Sequence, residues 1–223
     1  MLRSLGAAAL GACGGLIVGA TNADHQALRT VSSLLSATDA AEPRVDPSDA
    51  DSLVAASTRL AVKAGGLCVL STRSADGGLS SRMIQPLVET DDSGSPSLRF
   101  HTTSRSTKFG ELTADGRCTL AFLNPAQLTC IVFAGTAERC PDAEEQLLRD
   151  SWPLFPPLPV LYPGDTMRNF SGWRLRPSKV QLVALPSALG GGTREDWRAP
   201  EVERGKDGTG PWRVTCSGGI LQP

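Results

Sequence analysis

Apolar residues recur at two different spacings along this chain, and each spacing predicts a different kind of element. After Ser48, Leu and Ala return every three or four residues as far as the Gly65-Gly66 pair, which is typical of a helix that ends at glycine. From Leu67 onward, short apolar runs alternate with Gly, Asp, Ser and Pro clusters, which is typical of strands joined by turns. The pattern therefore predicts one leading helix, with Ser48 and Asp51 as its capping box, followed by a mainly β domain.

The apolar runs predict a series of antiparallel strands, at 67–72, 79–90, 98–102, 118–123, 128–134 and 136–139, and then one or two closing strands at 173–175 and 180–185. Asp76-Gly77 is a hairpin signal, and Gly135 is the expected position of a β-bulge. Two further helices are expected, at about 107–114 and 141–149. Five or more consecutive strands in a domain of this size predict a barrel or a sandwich, because closure removes exposed edges.

The two ends of the chain differ in composition from the middle. Residues 1–23 are rich in Ala, Gly and Leu and contain no acid, which predicts a targeting segment: an organellar presequence (mitochondrial or plastid), with a secretory signal or a cytoplasmic location as alternatives. The glycines make this run too weakly apolar for a membrane span. We assign 1–47 to this segment and a flexible linker, 48–185 to the folded domain, with an extended proline-rich connection at 152–163, and 186–223 to a tail of low order.

The overall composition excludes several classes of function. The 223 residues carry a formal net charge of -1, which gives no electrostatic attraction to nucleic acid or acidic membranes. The six cysteines form no C-x-x-C pair and the chain has two histidines, so we expect no metal site. Cys68, Cys118 and Cys130 lie in apolar runs, and we interpret them as reduced core residues.

A hydroxyl-rich loop follows the strand predicted at 98–102, and it contains two cations, Arg105 and Lys108. Its hydroxyls and backbone N–H groups could hold the oxygens of a phosphate, either cation could balance the charge, and a helix beginning near Ser106 would add its positive end. A strand, a Ser/Thr turn and a capped helix with solvated cations would explain the same residues without a ligand.

Arg82 favours the phosphate interpretation. It lies inside the strand predicted at 79–90, where an arginine needs a partner, although a surface cation or an ion pair is the alternative. The next strand ends directly in the hydroxyl-rich loop, so a hairpin could bring Arg82 beside Ser106 and Lys108. Together these residues would place a bidentate cation, a point charge and hydroxyls around one phosphate.

The order and spacing of these residues resemble the pyridoxamine-phosphate-oxidase-like FMN-binding split barrels, and most closely the branch of the general stress proteins. The likeness covers about 48–185, from Arg82-Met83-Ile84 through the hydroxyl-rich loop to Asn169-Phe170 and 173–177. It implies a mainly β fold with flanking helices, an antiparallel split β-barrel that binds FMN. It also implies a homodimer, because members of this family build the flavin site between two subunits.

The resemblance also implies which residues bind the cofactor. Arg82, Ser106 and Lys108 would bind the FMN phosphate, with Thr107 close to it. The isoalloxazine ring would lie against the strand backbone of Met83, Ile84 and Gln85. His101 and Thr102 would occupy the aromatic-Thr position of the family.

The resemblance does not extend to the substrate. Leu87 stands where the true oxidases carry a Lys, and Val183 followed by Ala-Leu-Pro-Ser replaces their Arg-Leu-His-Asp-Arg run. We therefore expect an FMN-binding oxidoreductase-like protein that acts on an unidentified small molecule and not a pyridoxamine phosphate oxidase, with the flavin supplying the chemistry and no catalytic residue identified. The alternative is a non-catalytic protein that binds or senses flavin or haem on the same barrel.

Overall fold

The computed structural model describes residues 46, 48–64, 66–91, 93–124, 129–150, 168–184 and 198–216. Within them the chain forms three helices: α1 (Ala50–Lys63), α2 (Thr107–Ala114) and α3 (Asp142–Asp150). The same residues form nine strands: β1 (Cys68–Arg73), β2 (Leu79–Ile84), β3 (Leu87–Thr90), β4 (Pro96–Thr103), β5 (Arg117–Asn124), β6 (Thr129–Arg139), β7 (Phe170–Ala184), β8 (Glu201–Glu203) and β9 (Arg213–Cys216).

All nine described strands belong to one antiparallel sheet with the order β2-β1-β5-β6-β7-β4-β3, to which β8 is added by pairing with β7 and β9 by pairing with β8. β2 and β3 stand at opposite ends of this order, although two residues separate them in sequence. Ile84 and Leu87 are therefore at most about 11 Å apart, so the sheet has to curl until its ends nearly meet. No pairing joins β2 to β3 in the described part of the chain. This open curl confirms the mainly β class and is consistent with the predicted split barrel.

The core lies on the inner face of the curl, where alternate residues of the central strands are buried. Phe122 of β5 and Phe133 of β6 are fully buried and meet edge to face, with ring centroids 5.8 Å apart. Leu53 and Leu60 of α1 join the same cluster. Each large apolar side chain buried in this way stabilises the fold by about 1.5–3 kcal/mol.

Two details of the predicted elements are wrong. The strand predicted at 79–90 is two strands, because Pro86 cannot donate to a sheet and interrupts the run. The N-cap of α1 is Asp49, whose carboxylate accepts from the Asp51 N–H at 3.3 Å, and not Ser48. The one or two closing strands expected at 173–175 and 180–185 form the single strand β7, in which Pro177 lies opposite the bulge at Ala134/Gly135.

The prediction of a low-order tail is wrong for 201–203 and 213–216, which form β8 and β9. Val202 pairs with Val180 of β7 and is 1% exposed, so this hairpin contributes to the core. The sequence pattern that would predict these strands is weak, because they have only three and four residues and lie among glycines and charged residues.

Other predictions meet the structure only in part. The targeting segment and linker, apart from Asp46, and the connection at 152–163 lie outside the described residues. Cys68 and Cys118 are buried free thiols as expected, but Cys130 lies on the outer face of the sheet and is partly exposed, which corrects its assignment to the core. No helix among the described residues is long and apolar enough to cross a membrane.

The bulge predicted at Gly135 is confirmed, and it sets a test of the sheet. A Cβ on Gly135 would lie 2.5 Å from the carbonyl oxygen of Arg176, so Gly135→Ala should force β6 away from β7 and lower the free energy of unfolding by about 1–3 kcal/mol. Urea denaturation measures this change. Gly110→Ala in α2 is the control, because an added Cβ there would meet nothing within 4 Å. This substitution should stabilise the helix by about 0.5–1 kcal/mol. Equal effects of the two substitutions would contradict the bulge geometry.

Candidate functional site

The guanidinium of Arg82 lies on the inner side of β2 and connects three elements. It donates to the Thr72 hydroxyl on β1 and to the carbonyl and hydroxyl oxygens of Ser80, both at 3.1 Å. It also forms an ion pair with Glu111 on α2. Arg82 is therefore anchored by the protein itself, and its partner is a buried carboxylate.

Glu111 is the other half of this connection. It is 6% exposed and accepts from the Thr72 hydroxyl at 2.6 Å in addition to Arg82. Burial acts to raise the pKa of Glu111, but hydrogen bonds from Thr72 and Arg82 and the charge of Arg82 outweigh it, so the pKa lies below its ordinary value. Glu111 is thus ionised at neutral pH and holds α2 against β1 and β2.

Helix α2 begins at the end of the hydroxyl-rich loop. Ser106 is its N-cap, as predicted, and its hydroxyl accepts from the Phe109 N–H at 3.2 Å. The same hydroxyl donates to the Thr103 carbonyl at 2.8 Å and lies 2.8 Å from the hydroxyl of buried Thr102. The cap therefore fixes the direction in which the first N–H groups of α2 point.

The first turn of α2 has the opposite charge from the other described helices. α1 and α3 carry acids in their first turns and a basic residue in their last turns, which suits the helix dipole. α2 has no acid in its first turn and carries Lys108 there. Such a charge is unfavourable for an isolated helix, and exceptions of this kind cluster at functional sites.

The Lys108 ammonium is partly buried and has no hydrogen bond or ion pair to any residue that the structure describes. Burial lowers the pKa of Lys108 to about 8, and the neighbouring Arg82 cation acts in the same direction. Most Lys108 side chains are still protonated at pH 7. The site therefore holds, at the start of a helix, a positive charge with no counter-ion among the residues described.

His101 lies close to the same ammonium. Its ring stacks on Phe170 with centroids 5.5 Å apart. Burial lowers the pKa of His101 to about 4, and the charge of Lys108 adds to this effect. The imidazole is neutral at physiological pH, so it can form hydrogen bonds but is not a cationic proton donor.

The other residues predicted to bind the cofactor differ in how far their side chains are buried. Ile84 is buried on the inner side of β2 with Arg82, whereas Met83 is 67% exposed on the outer side. Gln85 lies in the break between β2 and β3, and Thr107 is exposed at the first position of α2. The structure thus brings Arg82, His101 and Lys108 into electrostatic contact and places Thr102 and Ser106 beside them.

Glu111 and Thr72 are the site residues that sequence reasoning missed. They lie 29 and 10 positions from Arg82 in sequence, and neither belongs to the hydroxyl-rich loop. The available signal was Glu111 itself, a carboxylate one turn after Lys108 on the face of α2 that carries Leu112. An acid at a buried helical position requires a cationic partner.

The residues present fit a phosphate group. A cation without an acidic partner, a second cation, a capping hydroxyl and the first N–H groups of a helix supply charge and directed donors. In the described part of the chain no group of three or more His, Cys, Asp or Glu side chains is arranged to hold a metal ion.

Known proteins share this fold. The family model described as pyridoxamine 5'-phosphate oxidase matches residues 56–184. The structure of PhzG from Burkholderia lata 383, in complex with tetrahydrophenazine-1-carboxylic acid, aligns with a TM-score of 0.55 and 22% identity over 79% of this chain and 96% of PhzG. At this identity the likeness shows the fold alone. No curated protein matches the sequence significantly.

Two further solved structures align at lower scores. A protein from Clostridium acetobutylicum related to general stress protein 26 of B. subtilis has a TM-score of 0.48 and 14% identity, over 58% of this chain and 87% of that protein. A pyridoxamine 5'-phosphate oxidase-related, FMN binding protein from Nostoc punctiforme has a TM-score of 0.48 and 16% identity, over 72% and 92%. Because the family model matches more than half of the residues, the chain belongs to the pyridoxamine 5'-phosphate oxidase family of FMN-binding split barrels.

Proposed function

We propose that this protein binds FMN, with the cofactor phosphate at the first turn of α2, and acts as a flavin-dependent oxidoreductase on a small molecule. The observation that carries the proposal is the partly buried Lys108 ammonium, which has no acidic partner among the described residues and lies beside Arg82. A phosphate dianion supplies the missing negative charge. Bound FMN would supply the hydride or electron chemistry.

Each residue has a separate role in this proposal. Lys108 neutralises the phosphate, and the first N–H groups of α2, which have no acceptor within the helix, donate to its oxygens. Ser106 orients these donors through its cap. Arg82 adds positive potential, but its guanidinium is already bound to Glu111, so Glu111 acts as a positioning residue for Arg82.

Lys108→Met should remove bound flavin. The substitution keeps an unbranched side chain that is one atom shorter and deletes the charge, so we expect FMN affinity to fall at least tenfold, which corresponds to a charge-assisted hydrogen bond of about 1.5–3 kcal/mol. Absorption spectra of the purified protein and titration with FMN measure this. Arg105→Ala is the matched control, because it removes an exposed cation from the same loop and should retain flavin.

The pH dependence of FMN affinity tests the same residue. Because the pKa of Lys108 is about 8, its charge is lost as the pH rises through that value, and affinity should fall between pH 8 and 9.5. Lys108→Met should show no such fall. Without flavin this variant should be more stable than the original chain at pH 7, and the gain should vanish as the pH approaches 10.5.

The spectra also separate the two function classes. Flavin bands that bleach on addition of NAD(P)H support an oxidoreductase, whereas flavin that no nicotinamide donor reduces supports a binding or sensing protein. A Soret band in place of flavin bands, or equal flavin content in Lys108→Met and the original chain, would contradict the proposed site.

Glu111→Gln should weaken both the fold and the site. The amide can still accept from Thr72, but it leaves the Arg82 charge without its carboxylate partner. We therefore expect the free energy of unfolding to fall by about 1–3 kcal/mol at pH 7. The pKa of Glu111 is lowered on folding, so its contribution is present above the ordinary carboxyl pKa and is lost as the pH falls through the folded value. The stabilities of the two proteins should therefore converge in acid.

Thermal denaturation from pH 3 to 7 measures this convergence. Glu89→Gln is the control, because the Glu89 side chain is 43% exposed beside Arg99 and its loss should change stability by less than about 1 kcal/mol. If Glu111→Gln were as mild as this control, Glu111 would not be holding Arg82.

We also propose that two copies associate through the outer face of the curled sheet. Val69, Ala121 and Val132 lie in register across β1, β5 and β6, on the face opposite to the core. Met83 extends the row and is 67% exposed. A continuous apolar patch of this kind is typical of a protein interface.

Val132→Lys should therefore produce a monomer, because it places a charge in the middle of this row. Sedimentation equilibrium measures the mass. Leu147→Lys on α3, another change from a partly exposed apolar residue to lysine, should leave the dimer intact. A monomeric original chain would refute the proposed interface.

A further inference from the structure

A second group of cations lies at the end of β4 opposite to Lys108. A cavity of about 620 Å³ is bordered there by β3, β4, β7 and the turn at 205–210. Four arginines line it, Arg99, Arg174, Arg176 and Arg204, together with the two acids Glu89 and Asp91 and several Ser and Thr residues. A cavity of this size accommodates a small organic molecule.

Two of these arginines are neutralised by the protein. Arg99 donates through Nε to Glu89 at 2.8 Å. Arg174 forms an ion pair with Glu144, which also lies 4.0 Å from Arg99. These contacts balance the charges of Arg99 and Arg174, so neither arginine requires a ligand.

Arg176 and Arg204 are different. Neither forms an ion pair with a carboxylate in the part of the chain that the structure describes. Burial has the largest effect on Arg204 and lowers its pKa, the charges of Asp91 and Asp207 oppose this shift, and the like charge of Arg176 adds a smaller lowering effect. The two guanidinium groups therefore lie close enough to repel each other at one end of the cavity, with the two carboxylates also in reach of Arg204.

Arg204 is also held in a fixed orientation. Its Nε donates to the Pro177 carbonyl at 2.7 Å and its Nη1 to the Ser95 hydroxyl at 3.0 Å. Its Cζ lies 4.3 Å from the centroid of the Trp212 ring. A guanidinium held in place by neutral groups keeps its charge available and loses little freedom on binding.

The turn at 205–210 is packed closely against the same strand. Gly208 has a φ of +72°, and a Cβ on it would lie 3.0 Å from the Cβ of Arg176. A glycine is therefore required where the turn meets β7. Arg204 and Trp212 lie outside residues 56–184, so the family match does not include this part of the cavity.

We propose that this cavity is a second binding site, for a small anionic molecule whose carboxylate or phosphate group lies between Arg176 and Arg204. Guanidinium groups match both kinds of oxyanion in geometry and charge. The bound anion would relieve the repulsion between the two cations. The proposal does not depend on FMN, because its residues are separate from those around Lys108.

Titration calorimetry with inorganic phosphate and with succinate tests the proposal. The full chain carrying Lys108→Met is used, so that the first site does not contribute. We expect saturable binding of at least one probe and a loss of affinity of at least tenfold in Arg176→Ala, which removes an exposed side chain. Binding of phosphate alone indicates a phosphorylated ligand, and binding of succinate alone indicates a carboxylate.

Two further variants complete the test. Arg213→Ala, an exposed arginine of β9 outside the cavity lining, should change affinity less than twofold. Arg204→Lys keeps the charge but loses the guanidinium fork, and should weaken binding at least fivefold. Absence of saturable binding for both probes, or equal losses in Arg176→Ala and Arg213→Ala, would overturn the proposal.

Discussion

The buried carboxylate of Glu111 is the constraint on which the arrangement of the first site depends. A carboxylate that is 6% exposed is stable only when charged and hydroxyl donors surround it, and Arg82 and Thr72 supply them. This requirement ties α2 to β1 and β2. It also directs the Arg82 charge toward Glu111, so that within this site Lys108 has no counter-ion among the described residues. The ion pair thus shapes the site and leaves one positive charge for a ligand.

The first turn of α2 shows how stability and function compete in this protein. Desolvation and the charge of Arg82 both disfavour the protonated Lys108, and the helix dipole adds a further unfavourable term. The fold tolerates these effects because the buried cluster around Phe122 and Phe133, which Leu112 of α2 joins, stabilises the domain. A bound anion would offset all three effects by its direct attraction to the ammonium, which is the property expected of a binding site.

The sequence predicted the fold well where its signals are local. Period, turn residues and caps indicated α2, α3 and most strands, and the bulge at Gly135 was predicted from a single glycine. Whether 173–175 and 180–185 are one strand or two is not decided by local signals, because Pro177 between them is accommodated by the bulge on the neighbouring strand β6. The loop residues of the site were predicted together because they are neighbours in sequence. Glu111 was missed because its contact with Arg82 spans 29 positions.

The C-terminal hairpin is the clearest example of information that sequence patterns did not carry. Its strands are too short for a periodic signal, and they gain order because β8 pairs with β7 and β9 pairs with β8. The hairpin positions Arg204 beside Ser95 at the start of β4, about 20 Å along that strand from the first site. This separation exceeds the Debye length of about 8 Å at physiological ionic strength, so charge at one site has little direct effect at the other. Any coupling between the two would therefore have to pass through the shared strands β4 and β7.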